Sequence, residues 1–388
     1  EGYRKNVVAY RAIAGIARGC GSLPWIGYQG DSELSSGHPL SKLLRRANPR
    51  QGFGALVEAL VSFRAISGAA YMEAAGPKTG PPTELWALRS DRMKVLPGPF
   101  GLPSGYELEV RGQKKTFPVD PVTGEGAVRQ WALFHPLDDW HGMSPLEAAA
   151  LGIDQHNASS KWNLRLLQNS GRPSGMMLPK ATKSGDYPTY TAEQRDELKR
   201  QLRDALQGAE NAGEIPIGSG GWEFVELSIA PKDMDWIQSR NTSARDVANA
   251  LGYPPMLLGI PGDNTYSNYQ EARRSLWEDT ILPEACSLRE ELNAWLAPRF
   301  GETVRIDFDS DQVPALAGAR REKWEQVDKS SFLTINEKRE ALGYEPVEGG
   351  DTLYVAAGML PVDAMAMPQD DDEEEDAKRH GRANGVAH

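Results

Sequence analysis

Cysteine is nearly absent from this 388-residue chain. Cys20 and Cys286 are too few and too distant in sequence for a disulfide framework or a thiolate metal site. A reducing compartment during synthesis is the matching expectation. Long hydrophobic runs are missing too: the most apolar stretches are broken by Arg11 and Arg18, and by Glu58 and Arg64, so no membrane span is expected. The chain contains no G-x-x-x-x-G-K-[ST] loop, no G-x-S-x-G elbow and no C-x-x-C pair. A P-loop motor, an α/β-hydrolase nucleophile and a dithiol centre are thereby excluded. Without a methionine at Glu1, a trimmed start is expected in place of a signal peptide. Positive charge is also short, with 43 Lys and Arg against 54 Asp and Glu and a formal charge of −11. Seven of the negatives form the run Asp370 to Asp376, and without that run the balance is −4. Such a chain does not grip nucleic acid through a broad basic surface, which needs clustered Lys and Arg. A wall past which DNA slides has the opposite requirement and tolerates this balance.

What is present fits a soluble globular protein: 40% hydrophobic and 25% charged residues, in a length that suggests two or three domains. The most informative stretch runs from His141 to Gly175. Ser144, Pro145 and Glu147 supply a helix start of the S-x-x-E type, and Gly171 supplies a stop. The helix between them spans about 37 Å at 1.5 Å per residue.

Before it, residues 6 to 23 read as an amphipathic helix with Val7, Tyr10, Ala14, Ala17 and Gly21 on one face, and a second helix covers about 51 to 73. Lys42, Arg45, Arg46 and Arg50 between them read as a solvated basic face, with contact to DNA or to an acidic neighbouring subunit as the alternative. From Thr83 to Leu137 short apolar pieces separated by Pro and Gly predict strands and hairpins. After it come a strand from Gly175, a charged helix from Thr191, and strands over 214–217 and 222–229. Pro231 opens a second long helix with one narrow seam, Met234, Ile237, Ala244, Ala248 and Leu251. Gly252, Pro254 and Pro255 stop it. Pro261 to Asn264 are turn formers, and Ser267 with Gln270, or Asn268 with Glu271, should cap a helix over about 268–297 that Pro283 kinks. A strand over 303–308 and two helices within 314–343, the second capped by Thr334 and Glu337, complete the ordered part. Pro, Gly and Asp dominate beyond 345.

Three blocks carry a family resemblance. GMSPLEAA with its long helix and NSGRPSGMML, the segment 246–296 with GYPPMLLG and TYSN, and LTINEKREALGYEPVEGGD at 333–351 together resemble tailed-bacteriophage portal proteins, head-tail connector rings found in phages, prophages and gene transfer agents. The resemblance implies an α+β portal fold, mostly helical with small β-sheets. In family terms residues 1–143 would be the wing, 144–171 a stem helix, 172–230 the clip, and 231–258 the second stem helix. Residues 259–267 would be the tunnel loop, 268–312 a long kinked helix and further wing, 313–345 the crown-side helices, and 346–388 a disordered acidic tail. It implies a non-enzymatic ring, a dodecamer in the family, that conducts double-stranded DNA into and out of a virion after synthesis in the bacterial cytoplasm. The implied partners are further copies of the chain, the terminase large subunit, the major capsid protein and a head-tail adaptor or neck protein. The resemblance implies neither a membrane nor a cofactor. Asp263, Asn264, Thr265 and Tyr266 would face the channel, and Arg195, Lys199 and Arg203 of the clip would meet the motor or adaptor.

Two alternatives come from other classes. His135 and His141, with Asp138 and Asp139 in HPLDDWH, have the residue types of a divalent-metal hydrolase site, although turn formation explains them equally. A non-viral ring-forming adaptor would use the same helices.

Overall fold

The computed structural model describes residues 2–77, 80–168, 175–179, 191–193, 196–197, 200, 222–226, 236–261 and 265–352. By backbone contacts the chain divides into two units, 1–315 and 316–388.

The first unit is built on two packed helices, α2 (Val7–Ser22) and α4 (Phe53–Ser67), preceded by the short α1 (Gly2–Lys5) and joined through α3 (Pro39–Arg45). Asn6 caps α2, its side-chain oxygen accepting from the Val8 and Ala9 amides at 3.0 Å each. The buried face of α2 is not the one its large residues suggest. Val7 and Tyr10 are exposed, whereas Val8, Ala9, Ala12, Ile13, Ile16, Ala17 and Cys20 are buried. The cause is close approach at small residues: a Cβ on Gly21 would stand 2.6 Å from the Gly54 carbonyl of α4, and one on Gly15 would stand 2.7 Å from the Tyr253 ring.

The helix read over 51–73 ends early. Gly68 takes a left-handed conformation at φ +80°, and β3 (Ala69–Ala75) begins at once. β3 is the centre of an antiparallel sheet between β4 (Glu84–Leu88) and β8 (Val128–Ala132), with Ala69 opposite Ala132 and Tyr71 opposite Leu88. The predicted hairpins follow as β5 (Met93–Pro97), β6 (Pro103–Val110) and β7 (Gln113–Pro118), a separate antiparallel sheet. Tyr71, Met93, Val95, Tyr106, Phe117 and Val128 form one apolar cluster that bonds the two sheets together, and Trp140 packs on it.

The helix expected from Ser144 is present in two pieces, α5 (Pro145–Ala148) and α6 (Ala150–Gln168), broken at Ala149. Ser144 Oγ accepts from the Leu146 amide and donates to the Ala65 carbonyl at 2.8 Å, which ties the helix start to α4. Gly171 lies outside the described residues. β9 (Gly175–Pro179) pairs antiparallel with β10 (Trp222–Glu226), Met177 opposite Phe224. The strand read over 214–217, and most of the helix read from Thr191, lie outside the described residues.

α7 (Trp236–Ala250) runs antiparallel to α6: Gly152 lies against Asp246 and Val247, while Gln155 reaches Ser239. Its buried seam is Ser243, Ala244, Val247, Ala248 and Leu251. α8 (Tyr266–Ser275) and α9 (Leu282–Trp295) are joined by a π-helical turn, Leu276–Ile281, in which the Leu282 amide bonds back five residues to Trp277. Pro283 withholds the next amide, so the disturbance predicted at the proline appears as a widening just before it. The widened turn presses Ile281 against Gly19 and offers its carbonyl to the Cys20 thiol at 3.5 Å. β11 (Val304–Phe308) pairs with β1 (Trp25–Gln29), which also holds β2 (Ser32–Glu33).

The second unit contains α10 (Ala317–Lys329) and α11 (Ile335–Ala341), the latter with the predicted Thr334/Glu337 capping box. Ordered structure passes the boundary drawn at 346. Asn336 accepts from the Val347 amide, and donates to the Val347 carbonyl and to Asp351; its own amide bonds Gly350.

Candidate functional site

The residues that the family resemblance would turn toward a channel fall in the connection between α7 and α8. At the foot of α7, Gly252 turns the chain at φ +64°, and Thr280 of the π turn donates to its carbonyl at 2.6 Å. Tyr253 is buried against α2, and burial raises its phenol pKa. A 3₁₀ turn over Pro255–Leu258 ends at Gly259 in the left-handed region, and Ile260 is buried. The guanidinium of Arg245, two turns up α7, donates to the Pro261 carbonyl. The connection is therefore fixed to the π turn at Gly252 and to α7 at Pro261. Asp263 and Asn264 lie outside the described residues. Thr265 is the N-cap of α8, accepting from the Asn268 amide at 3.3 Å, in place of the Ser267 or Asn268 caps expected. The tie between two equally good cap patterns in sequence hid it. Tyr266 is 79% exposed, its hydroxyl accepting from Gln270, and Tyr269 follows on the same exposed helix. Arg195, Lys199 and Arg203 lie outside the described residues.

HPLDDWH has a local explanation. The His135 ring accepts the Leu137 amide at 3.1 Å through Nδ1. Asp138 accepts the Trp140 and His141 amides at 2.7 and 3.1 Å and pairs with the His141 ring at 2.9 Å. Those bonds hold the Asp138 carboxyl down at about 2, the Trp140 amide contributing most. The two histidines thus brace a loop, and among the described residues no group of three His, Cys, Asp or Glu could hold a metal ion.

Sequence reasoning did not single out two further features. Where α1 meets α6, the buried Asn6 donates to His156 Nδ1 at 3.3 Å and to Asn157 at 3.2 Å. Burial, and then the charge of Arg240, lower the His156 pKa. Beside this runs an open cleft of about 1150 Å³, floored by Phe63, Ile66, Leu146 and Ile153 and edged by Glu147 and Asp154. Among the described residues no helix is long and apolar enough to cross a membrane.

Comparison with known proteins extends over these elements. Residues 7–343 match the family model described as phage portal protein. An uncharacterized protein of Rickettsia bellii is 38% identical over 354 residues, covering 91% of this chain and 90% of its own. The portal protein of Enterobacteria phage HK97 is 22% identical over 194 residues, 49% of this chain and 45% of the phage protein. Among solved structures, a chain from the neck of a native gene transfer agent particle, computed with C12 symmetry, superposes with a TM-score of 0.67. It is 38% identical to this chain, with 89% of this chain and 92% of that one covered.

Proposed function

The chain belongs to the phage portal protein family, and we propose that it forms the ring at one capsid vertex through which DNA is packaged and ejected. The carrying observation is the extent of the match: residues 7–343 include every described element from α2 to α11. The family is structural, and we assign the chain no catalytic step. We take the ring to be a dodecamer, a number supported by the twelvefold symmetry of the related neck. It belongs to a virion-like particle and is made in the bacterial cytoplasm.

Within that ring we assign residues 1–143 to the wing and the antiparallel pair α6 and α7 to the stem, 144–171 and 231–258. Residues 172–230 are the clip, with Arg195, Lys199 and Arg203 meeting the terminase large subunit and later the neck adaptor. Residues 259–267 are the tunnel loop, with Asp263, Asn264, Thr265 and Tyr266 toward the DNA. Residues 268–312 return to the wing, where the major capsid protein surrounds the ring; 313–345 approach the crown, and 346–388 carry the acidic tail. Support for the loop comes from its anchorage, Arg245 to Pro261 on one side and the Thr265 cap on the other, with the exposed Tyr266 just beyond. A polar loop fixed at both ends brushes phosphates without the Lys and Arg clusters that would hold them.

Negative-stain imaging of the purified chain tests the function most directly. Annular particles with a central hole are the expected outcome, and their presence in capsids isolated from the source follows. A monodisperse monomer at every concentration, absent from capsids, would overturn the assignment.

A further inference from the structure

We propose that the braced loop 133–142 is the projecting contact by which one copy of this chain docks into the open cleft of a second copy in the ring. The proposal rests on the ring reading above. Phe134 and Leu137 are 84% and 92% exposed, among the most exposed large apolar side chains of the described residues. An exposed apolar residue on a loose loop means little. This loop is not loose. Its root is a backbone contact between two glycines, where a Cβ on Gly68 would fall inside the Gly142 carbonyl. The Leu133 amide bonds Gly68, and Gln130 donates to the Trp140 carbonyl at 2.8 Å. Inside, Asp138 and the two histidines fix the tip. A surface whose ordering cost is already met before contact is what a docking residue requires.

The occupant follows from the symmetry and from chemistry on this same chain. A closed ring joins unlike patches, so each copy must carry both a projecting and a receiving face. The cleft supplies the second. Its floor of Phe63, Ile66, Leu146 and Ile153 suits an aromatic and an aliphatic tip; Gly142 at the root of the chain's own loop lies on its wall, but Phe134 and Leu137 do not line it, which leaves the floor open to the tip of another copy. Polar matching agrees. Because His135 Nδ1 accepts the Leu137 amide, the neutral ring carries its proton on Nε2 and has one N–H left to donate. The cleft is also lined by Arg4 and by the paired Arg89 and Asp91, and at its edge Glu147 and Asp154 are exposed carboxylates with no ion-pair partner among the described residues, open to such an N–H.

The test replaces the tip in the full chain, F134S together with L137S. Both side chains are exposed, so the protomer should fold as the parent does, checked by circular dichroism and by a urea midpoint taken at a concentration where the parent ring is dissociated. Ring yield by size exclusion and imaging should fall roughly tenfold or more, as for other buried interface anchors. A photo-cross-linker installed at position 137, in rings mixed from isotopically heavy and light chains, should join heavy to light copies within 144–154. Rings at parental yield and thermal resistance from the double variant would overturn the proposal. So would cross-links confined to one copy, or made only to another component of the particle. A parent chain that forms no ring would remove the ring reading itself, which separates that failure from this one.

Discussion

Asn6 spends its carbonyl oxygen on the Val8 and Ala9 amides, so its NH₂ must face His156 and Asn157. His156 Nδ1 is then an acceptor, and the neutral ring with its proton on Nε2 is the form that fits. A proton on Nδ1 would point at the Asn6 NH₂ in a buried site already facing Arg240. The folded pKa is therefore below the ordinary 6.5, and the sign of the linkage follows. Above the unfolded value both states are neutral and this contribution to stability is complete. Below it the unfolded chain takes up the proton first, and the contribution is lost as pH falls through the folded value. Urea midpoints should drop between pH 7.5 and 5.5, and H156Q should flatten that part of the profile. Equal slopes for parent and variant would show that another group governs it. N6A removes the cap and strands His156, which should cost about 1–3 kcal/mol at neutral pH.

Among elements, the junction of α4 and β3 is where backbone geometry decides most. G68A must place a methyl group inside the Gly142 carbonyl at φ +80°, whereas G30A at φ +61° meets nothing within 4 Å. G30A should cost about 1 kcal/mol, the ordinary left-handed penalty, and G68A several times more, read from urea midpoints. Similar losses would mean that the two glycines separate freely. The same junction shows what was legible in sequence. Caps and turns are local, so Thr334 with Glu337, the Gly252–Pro255 stop and the hairpins between 83 and 137 were readable. The helix read on to 73 failed because Ala69 to Ala75 are as apolar as a buried helix, and only the distant Gly142 explains the break at Gly68. The face of α2 was right at Ala14 and Ala17, which are buried, and wrong at Val7 and Tyr10, because glycines and alanines make its close contacts. At the candidate loop, sequence supplied the turn formers and Tyr266 but not the Arg245 anchor, sixteen residues away. That anchoring makes a separable prediction. Deleting Asp263 to Thr265, or making D263K with N264K, should leave rings intact and alter packaging or DNA retention. If neither changes, the segment is only a connector.

At the scale of the whole molecule, several large apolar side chains among the described residues are left largely exposed in one copy. Val122, Phe134, Leu137 and Leu151 are each more than 80% exposed in the first unit. In the second unit Phe332 is 76% exposed, and Trp324 stacks on Tyr344 while both remain about half exposed. The described part of that unit buries no apolar side chain at all, only Asn336 and Gly350. Its caps and its Asn336 clasp define a shape without supplying a core, and a piece of this size stands poorly alone in water. Such a chain should draw part of its stability from its neighbours, so that unfolding and ring dissociation are linked. Mass action then sets a measurable consequence. Each tenfold increase in protein concentration adds about 1.4 kcal/mol per protomer at most, which is about 2 °C in Tm for a chain of this size. The midpoint should climb by that amount across a dilution series, and the double variant F134S/L137S should be flat over the same range and coincide with the parent at its most dilute. A parent midpoint unchanged over a hundredfold range would mean that each copy is stable before it meets another, and that ring closure selects among finished protomers.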